Sequence, residues 1–255
     1  MSAMAISFET RESPNHDARP AGVPVDILLL HYTGMKTAET AIERLCDPAA
    51  KVSCHWVVDE DGTILRLVDE SRRAWHAGVS SWAGETDINA RSIGIEIVNP
   101  GHEFGYRDFP DAQIEAVIAL CRTVLARHPI PPRRVLGHSD VAPARKADPG
   151  ERFPWRRLAE ADIGLWVQPA AITPGRALGP GRTDRTAAAL QRDLAVYGYG
   201  IEETGTYDPE TRTVVTAFQR HFRPALVDGI ADRSTIVTLA KLVKAVGESP
   251  CCAAT

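Results

Sequence analysis

A segment rich in proline and glycine separates this chain into two parts. Residues 166–183 read WVQPAAITPGRALGPGRT and carry three prolines and three glycines without an apolar periodicity. Proline and glycine interrupt helices and strands, so this composition is typical of a linker. We therefore predict a first domain over residues 1–165, a linker over 166–183, a helical domain over 184–247 and a tail over 248–255.

In the first part, short apolar runs alternate with helical patterns. Residues 25–30 are mostly aliphatic, as expected of a strand that is buried on both faces, and residues 92–98 predict another strand. Residues 54–58 and 63–68 flank a turn that contains glycine, which predicts a hairpin. Residues 111–127 space their apolar side chains by about 3.6 positions, which predicts a helix. Interleaved strands and helices around one sheet predict an α/β fold.

The second part contains three successive helical patterns. The first carries Leu190 and Leu194, the second begins at Asp208 with a proline directly after it, and the third begins near Asp232. These patterns predict a small three-helix domain. Such a domain has no charge cluster that indicates a function by itself.

The composition limits the classes of partner. Lys and Arg number 29 against 33 Asp and Glu, a net charge of −4, so no large basic field attracts nucleic acid or anionic lipid. No apolar run approaches the ~18 residues that a membrane-spanning helix needs. The first residues lack the basic start and apolar run of a secretory signal. We therefore expect a cytoplasmic protein, with the periplasm or cell envelope as the alternative.

The cysteines argue against a disulfide framework. Their number is odd and no Cys-x-x-Cys spacing occurs, so neither paired disulfides nor a thiolate zinc site is indicated. We expect reduced thiols, and we expect Cys46 and Cys121 to pack in the core because they lie on apolar helix faces. The five cysteines are Cys46, Cys54, Cys121, Cys251 and Cys252.

Two histidines and one aspartate stand where a strand or a turn gives way to a loop. His31 ends the apolar run of residues 27–30, His138 follows Val135-Leu136-Gly137, and Asp148 precedes Pro149-Gly150. Two imidazoles and a carboxylate form a common catalytic zinc set that leaves one position open for water. A hydrogen-bonded structural role for each histidine and a simple turn at Asp148 remain the alternatives.

A glutamate and a lysine are candidates for acid–base and electrostatic roles. Glu96 lies between Ile95 and Ile97 in a predicted strand, where burial would raise its pKa toward that of a general base. Lys146 lies two residues before Asp148, close enough to stabilise a developing oxyanion. An outward-facing strand residue and a solvated surface lysine are the alternatives.

Five ordered motifs of the first part resemble one family. Between about residues 20 and 160 they are similar to the zinc-dependent N-acetylmuramoyl-L-alanine amidases, the group that includes phage amidase lysozymes and peptidoglycan-recognition proteins. The resemblance implies a mixed central sheet flanked by helices. The motifs are LLLHYTG at 28–34, VSCHWVVDEDG at 52–62, RAWHAG at 73–78, SIGIEIVN at 92–99 and GHSDVAPARKADPG at 137–150.

The resemblance also implies roles for individual residues. His31, His138 and Asp148 would ligate Zn²⁺, Glu96 would act as the base, and Lys146 would assist. The third ligand is an aspartate, as in the bacterial branch, and not the cysteine of the phage branch. Where the phage branch has a catalytic tyrosine this chain has Cys54, so Glu96 would take that role. Residues expected at the substrate groove are His55, Trp75, His76, Trp82 and Asn99, with a structural role as the alternative for His55.

The second part is similar to the three-helix peptidoglycan-binding modules of wall hydrolases. The likeness rests on LQRDLAVYGY at 190–199, GTYDPET at 205–211, VTAFQRHF at 215–222 and DGIAD at 228–232. It implies peptidoglycan or muropeptides as the partner. The module favours intact wall as the substrate, whereas the absence of an export signal favours recycled muropeptides.

Together the two resemblances imply a zinc hydrolase. The expected reaction is hydrolysis of the amide between N-acetylmuramic acid, in its ordinary or anhydro form, and L-alanine of the stem peptide. One rival is a muropeptide-binding protein with the same fold that does not cut. A second rival is a zinc peptidase that cuts within the stem peptide.

Overall fold

The computed structural model describes residues 6–247, so the predicted tail at 248–255, together with Cys251 and Cys252, lies outside the described residues. Strands and helices alternate up to residue 160 and helices follow after residue 184, in agreement with the predicted α/β fold and three-helix domain. The strands are β1 Glu9–Thr10, β2 His16–Ala18, β3 Ile27–Tyr32, β4 Trp56–Val58, β5 Ile64–Arg66, β6 Arg72–Ala74, β7 Ser92–Ile97 and β8 Val135–Gly137. The helices are α1 Ala38–Cys46, α2 Ile88–Arg91, α3 Gly101–Phe104, α4 Asp111–Arg127, α5 His138–Val141, α6 Trp155–Glu160, α7 Arg185–Tyr197, α8 Pro209–Phe222 and α9 Arg233–Gly247.

A six-stranded mixed sheet with the order β1-β5-β4-β7-β3-β8 forms the centre of the first domain. Strand β3 pairs in parallel with β7 and with β8, whereas β4 and β5 form the predicted antiparallel hairpin. Strands β2 and β6 make a separate antiparallel pair. The register of β3 against β7 places His31 beside Glu96. Because neighbouring residues in register point to the same face, both side chains lie on one side of the sheet.

The two faces of β3 are covered by different parts of the chain. Leu28 and Leu30 pack in one apolar cluster with the buried face of helix α4. Ile27 and Leu29 pack in a second cluster, which also contains side chains of helices α7, α8 and α9. Since successive strand residues point to opposite faces, the helical domain forms a third layer on the side of the sheet opposite α4.

The predicted linker lies against the helical domain. Within residues 166–183 the structure has two isolated bridges and no helix or strand. The backbone of Ala170 bonds to the hydroxyls of Thr238 and Ser234, and Leu178 forms a bridge with Ala231. This segment is therefore fastened to the domain that follows it, and the domain boundaries remain a prediction.

Three free cysteines lie within the described residues. Cys121 is fully buried in the cluster beneath α4, as predicted, and Cys54 is also buried. Cys46 is only partly buried, because it lies at the last turn of α1. Burial raises the pKa of the Cys54 and Cys121 thiols, so both stay protonated at neutral pH.

No helix among residues 6–247 combines the length and apolar character that crossing a bilayer requires.

Candidate active site

His31, His138 and Asp148 meet at the carboxyl edge of the central sheet. His31 lies near the end of β3, His138 begins α5 directly after β8, and Asp148 lies in the loop that follows α5. The Nδ1 atoms of the two histidines are 2.9 Å apart, and Asp148 Oδ2 is 3.1 Å from His31 Nδ1 and 3.0 Å from His138 Nδ1. All three side chains are buried. The fold thus brings together residues that are up to 117 positions apart in the chain.

The donor set suits a divalent metal ion. Two imidazole nitrogens and one carboxylate oxygen are the ligands that zinc accepts in catalytic sites. Nε2 of His138 lies 3.0 Å from the carbonyl oxygen of Ala77, so this nitrogen carries the hydrogen and Nδ1 carries a lone pair. That lone pair faces the carboxylate of Asp148. Two electron-rich atoms at this separation repel each other unless a cation or a hydrogen lies between them. A metal ion removes this repulsion because it accepts a lone pair from each atom.

The charges of the cluster favour metal binding. Burial, followed by the influence of His138, lowers the pKa of His31 to about 4, so its imidazole is neutral at pH 7. Burial opposes ionisation of Asp148, but His138 and His31 outweigh it and lower the pKa of this carboxyl. A neutral imidazole and an ionised carboxylate are the forms that coordinate a metal.

Glu96 is half-buried beside this cluster. Its side chain lines a cavity of about 430 Å³ that also borders His138 and Asp148. Within residues 6–247, Oε2 of Glu96 accepts no hydrogen bond. Burial, reinforced by the charge of Asp148, raises the pKa of Glu96 well above its ordinary value, while Lys146 acts in the opposite direction. A carboxylate with raised proton affinity and a free oxygen at a cavity can act as a general base.

Lys146 lines the same cavity as Glu96. Within the described part of the chain its ammonium group forms no hydrogen bond or ion pair with another side chain. Its charge nevertheless acts on both Glu96 and His31, lowering the pKa of each. A partly buried cation that is not paired with a carboxylate can stabilise negative charge that develops in the cavity.

Two of the residues expected at the groove border it. Trp75 and His76 line a second cavity of about 470 Å³, which shares His138 and Lys146 with the first. The two cavities therefore adjoin beside the cluster, and together they form the candidate substrate groove. Trp75 is held by a hydrogen bond of 2.7 Å from Nε1 to Asp17.

The structure places His55, Trp82 and Asn99 outside the lining of both cavities. His55 is fully buried between the backbones of Gly94 and Arg72, in agreement with its structural alternative. Trp82 is buried against aromatic rings of the helical domain. Asn99 is buried and bonds to the backbone of its own loop. These residue types are common at substrate grooves. Here, however, the helical domain encloses Trp82, and the surrounding backbone encloses His55 and Asn99.

One wall of the first cavity is formed by residues that the sequence motifs do not single out. Tyr32 and His102 line it, with Tyr32 Oη 2.9 Å from His102 Nδ1. Burial raises the pKa of Tyr32 to about 12. Tyr32 could have been identified from the sequence, because it directly follows His31 in the same motif. His102 had no such signal, because α3 brings it to the wall only after the loop folds.

A missed asparagine holds the backbone next to the cluster. Asn89 Oδ1 accepts the backbone N–H groups of both His76 and Ala77, at 3.0 and 2.8 Å. Arg145 donates to the carbonyl oxygens of Ala77 and Val79. The loop at residues 76–79 is thereby fixed against the clustered side chains.

Comparisons with known proteins identify the family of the chain. Residues 21–151 match the family model described as N-acetylmuramoyl-L-alanine amidase, and residues 184–239 match a peptidoglycan binding domain. The N-acetylmuramoyl-L-alanine amidase AmiD of Escherichia coli K12 is 37% identical over 243 residues, which cover 91% of this chain and 87% of the relative.

Two solved structures are similar over nearly the whole chain. One is the complex of E. coli AmiD with the substrate anhydro-N-acetylmuramic acid-L-Ala-D-γ-Glu-L-Lys, with a TM-score of 0.75, 36% identity and coverage of 90% of this chain and 93% of that one. The other is AmpDH3 of Pseudomonas aeruginosa in complex with anhydromuramic pentapeptide, with a TM-score of 0.72, 30% identity and coverage of 95% and 99%. The family resemblance and the fold predicted from the sequence are thus confirmed, and the chain belongs to the N-acetylmuramoyl-L-alanine amidases, with a peptidoglycan binding domain as its third layer.

Proposed function

We propose that this amidase is a zinc enzyme that hydrolyses the amide between anhydro-N-acetylmuramic acid and L-alanine of the stem peptide. The observation that carries the proposal is the convergence of His31 Nδ1, His138 Nδ1 and Asp148 Oδ2 within 3.1 Å of one another, next to a cavity that His138 and Asp148 line. The anhydro form of the sugar is supported by the two similar structures that hold anhydromuramyl peptides.

In this proposal the three clustered side chains hold the ion, and it supplies polarisation of a carbonyl and activation of water. Glu96 takes the proton of the attacking water at its carboxylate. As the new C–O bond forms and the C–N bond breaks, Glu96 passes that proton to the departing amine of L-alanine. The products are a lactyl carboxylate on the sugar and a peptide with a free amino terminus.

Lys146 acts on the charge that appears during the reaction. When water adds to the amide, the carbonyl oxygen becomes negative. An ammonium group at the cavity wall stabilises that oxygen more than it stabilises the neutral carbonyl, so it lowers the barrier. Its second effect is on Glu96, where the positive charge limits the rise of the pKa and keeps more of the base ionised.

Product analysis tests the proposed reaction. The purified chain, incubated with anhydro-N-acetylmuramyl tripeptide, should release anhydro-N-acetylmuramic acid and a tripeptide that begins with L-alanine, as seen by mass spectrometry. A chelator should stop the reaction and added zinc should restore it. A binding-only protein would yield no product, and a stem-peptide peptidase would leave L-alanine attached to the sugar.

The base is tested in the same assay with Glu96→Gln. Gln keeps the size of the side chain but cannot accept a proton, so turnover should be abolished while one zinc ion per chain remains bound. Near-normal turnover of Glu96→Gln would remove this residue from the proposed mechanism.

The helical domain is proposed to bind the polymer. Its match to a peptidoglycan binding domain supports peptidoglycan as the partner, in addition to free muropeptides. The full chain should sediment with insoluble sacculi, and sacculi should compete with soluble muropeptides for hydrolysis. Failure to sediment at any salt concentration would restrict the substrate to soluble fragments.

A further inference from the structure

A chain of hydrogen bonds runs from the metal-binding cluster into the interior of the protein. Nε2 of His31 lies 3.0 Å from Nδ1 of His76, and Nε2 of His76 lies 3.2 Å from the hydroxyl of Ser92. That hydroxyl lies 2.6 Å from the carbonyl oxygen of Ile88. His31, His76 and Ser92 are all buried, so solvent does not replace any of these contacts.

The order of donors in this chain follows from its inner end. The carbonyl of Ile88 can only accept, so the single hydroxyl hydrogen of Ser92 points toward it. Ser92 Oγ must then accept the hydrogen on Nε2 of His76, which leaves Nδ1 of His76 with a lone pair. This lone pair accepts the hydrogen on Nε2 of His31. Nδ1 of His31 is therefore free of hydrogen and faces Nδ1 of His138 with its lone pair.

The ring of His76 fits a space that the neighbouring strand leaves open. A Cβ atom at Gly94 in β7 would lie 2.6 Å from Cγ and Nδ1 of the His76 ring, a distance that real Cβ atoms do not reach. Any other residue at position 94 would displace the ring from its partners. The backbone of His76 is in turn fixed by Asn89.

The residue after His76 orients the second histidine of the cluster. The carbonyl oxygen of Ala77 accepts the hydrogen on Nε2 of His138, and the N–H of Ala77 is bound by Asn89. The dipeptide His76-Ala77 thus touches both imidazoles on the side away from the cluster.

We propose that His76 is a positioning residue that holds His31 in the tautomer with its hydrogen on Nε2, so that Nδ1 is available to the metal ion. This role rests on the zinc site of the proposed function and replaces the expectation that His76 chiefly contacts substrate. Partners of this kind fix the ring orientation and the tautomer of a ligating histidine, and their loss typically weakens metal binding about 10- to 100-fold.

Zinc affinity, measured by competition with a chromophoric chelator, tests the proposal without relying on turnover. His76→Leu removes the acceptor and should weaken zinc binding about 10- to 100-fold. His76→Asn places an amide oxygen close to the position of Nδ1, so it should restore most of the affinity. His76→Gln places its amide farther out and should not. The visible spectrum of the Co²⁺-loaded protein should change in His76→Leu and remain close to wild type in His76→Asn.

Two further variants keep the test decisive. Ser92→Ala leaves the His76 ring in place but removes the acceptor that orders the chain, so it should also weaken zinc binding and it applies if the His76 variants do not fold. His128→Asn alters a half-buried histidine that pairs with Glu70 away from the cluster, and it should leave zinc affinity unchanged.

The outcomes separate this proposal from the zinc site itself. Equal affinities in wild type, His76→Leu and Ser92→Ala would overturn the role of His76 while the zinc site stands. Equal weakening in His76→Asn, His76→Gln and His76→Leu would also overturn it, because only packing would then matter. A wild-type chain that binds no stoichiometric zinc would instead overturn the proposed function.

Discussion

Nδ1 of His221 lies 2.7 Å from Oδ2 of Asp140, so a buried imidazole of the helical domain donates to a buried carboxylate of the first domain. The other oxygen of Asp140 accepts a hydrogen bond of 2.7 Å from the hydroxyl of Tyr199. Asp140 also accepts the backbone N–H of Gly137, the residue that precedes His138. The helical domain therefore contacts the short helix that carries one of the clustered histidines.

Tyr199→Phe tests this connection. The substitution leaves an oxygen of a buried carboxylate without its donor, and such a loss costs about 1–3 kcal/mol of unfolding free energy. Urea titration followed by circular dichroism should show a single transition for the wild type, because the domains share an apolar cluster, and a lower midpoint for Tyr199→Phe. Tyr197→Phe is the control, since the Tyr197 hydroxyl has no hydrogen bond to the rest of residues 6–247. Equal loss in both variants would argue against a specific role of the hydroxyl.

The sequence predicts the secondary structure well where the apolar pattern is local. The 3.6-residue period of residues 111–127 predicts α4 with its observed ends, and the aliphatic run before His31 predicts β3. Each pattern depends only on which face of the element is buried. The clustered residues His31, His138 and Asp148 were found through their flanking motifs, because spacing alone indicates zinc only weakly.

The arrangement of the two domains could not be predicted from these patterns. An amphipathic helix reveals that one face is buried but not which surface buries it. Trp82 shows the consequence. The sequence predicts this side chain at the substrate groove, but Tyr197 and Tyr199 of the helical domain cover its ring. The sequence left two roles open for His55 for a related reason. Arg19, which helps to bury its ring, lies 36 positions away in the chain.

Asp148→Asn tests the proposed metal ligand. An amide oxygen is neutral and binds zinc far more weakly than a carboxylate, so metal analysis should find well below one zinc ion per chain and hydrolysis should be lost together with the metal. The matched control is Asp108→Asn, which changes an exposed carboxylate paired with Arg152. Full zinc content in Asp148→Asn would exclude this side chain as a ligand.

Lys146→Gln tests the proposed stabilisation of the oxyanion. Removal of one such partner typically lowers kcat by about 10²–10³-fold. Zinc content should stay at the wild-type level, because Lys146 is not a ligand, and KM should change little. Lys146→Arg keeps the charge and should retain more activity than the neutral variant. A large increase in KM with unchanged kcat would indicate that Lys146 binds the ground-state substrate instead.

Glu96→Gln should stabilise the zinc-free protein at neutral pH even though it removes the proposed base. Burial raises the pKa of Glu96 well above its usual 4.5, so between pH 4.5 and the raised value the folded chain keeps a proton that the unfolded chain releases. Unfolding then releases a proton, and the stability that this group contributes is lost as the pH rises through that window. Gln is neutral at every pH and avoids this loss.

The difference in Tm between Glu96→Gln and wild type, measured in the presence of a chelator, should therefore be small at pH 4 and grow in favour of the variant toward pH 8. The free oxygen of Glu96 adds to the effect, because a buried carboxylate without a partner is costly once it ionises. A Tm difference that does not depend on pH would mean that Glu96 titrates normally in the folded chain, and its suitability as a base would then have to arise only when metal or substrate is bound.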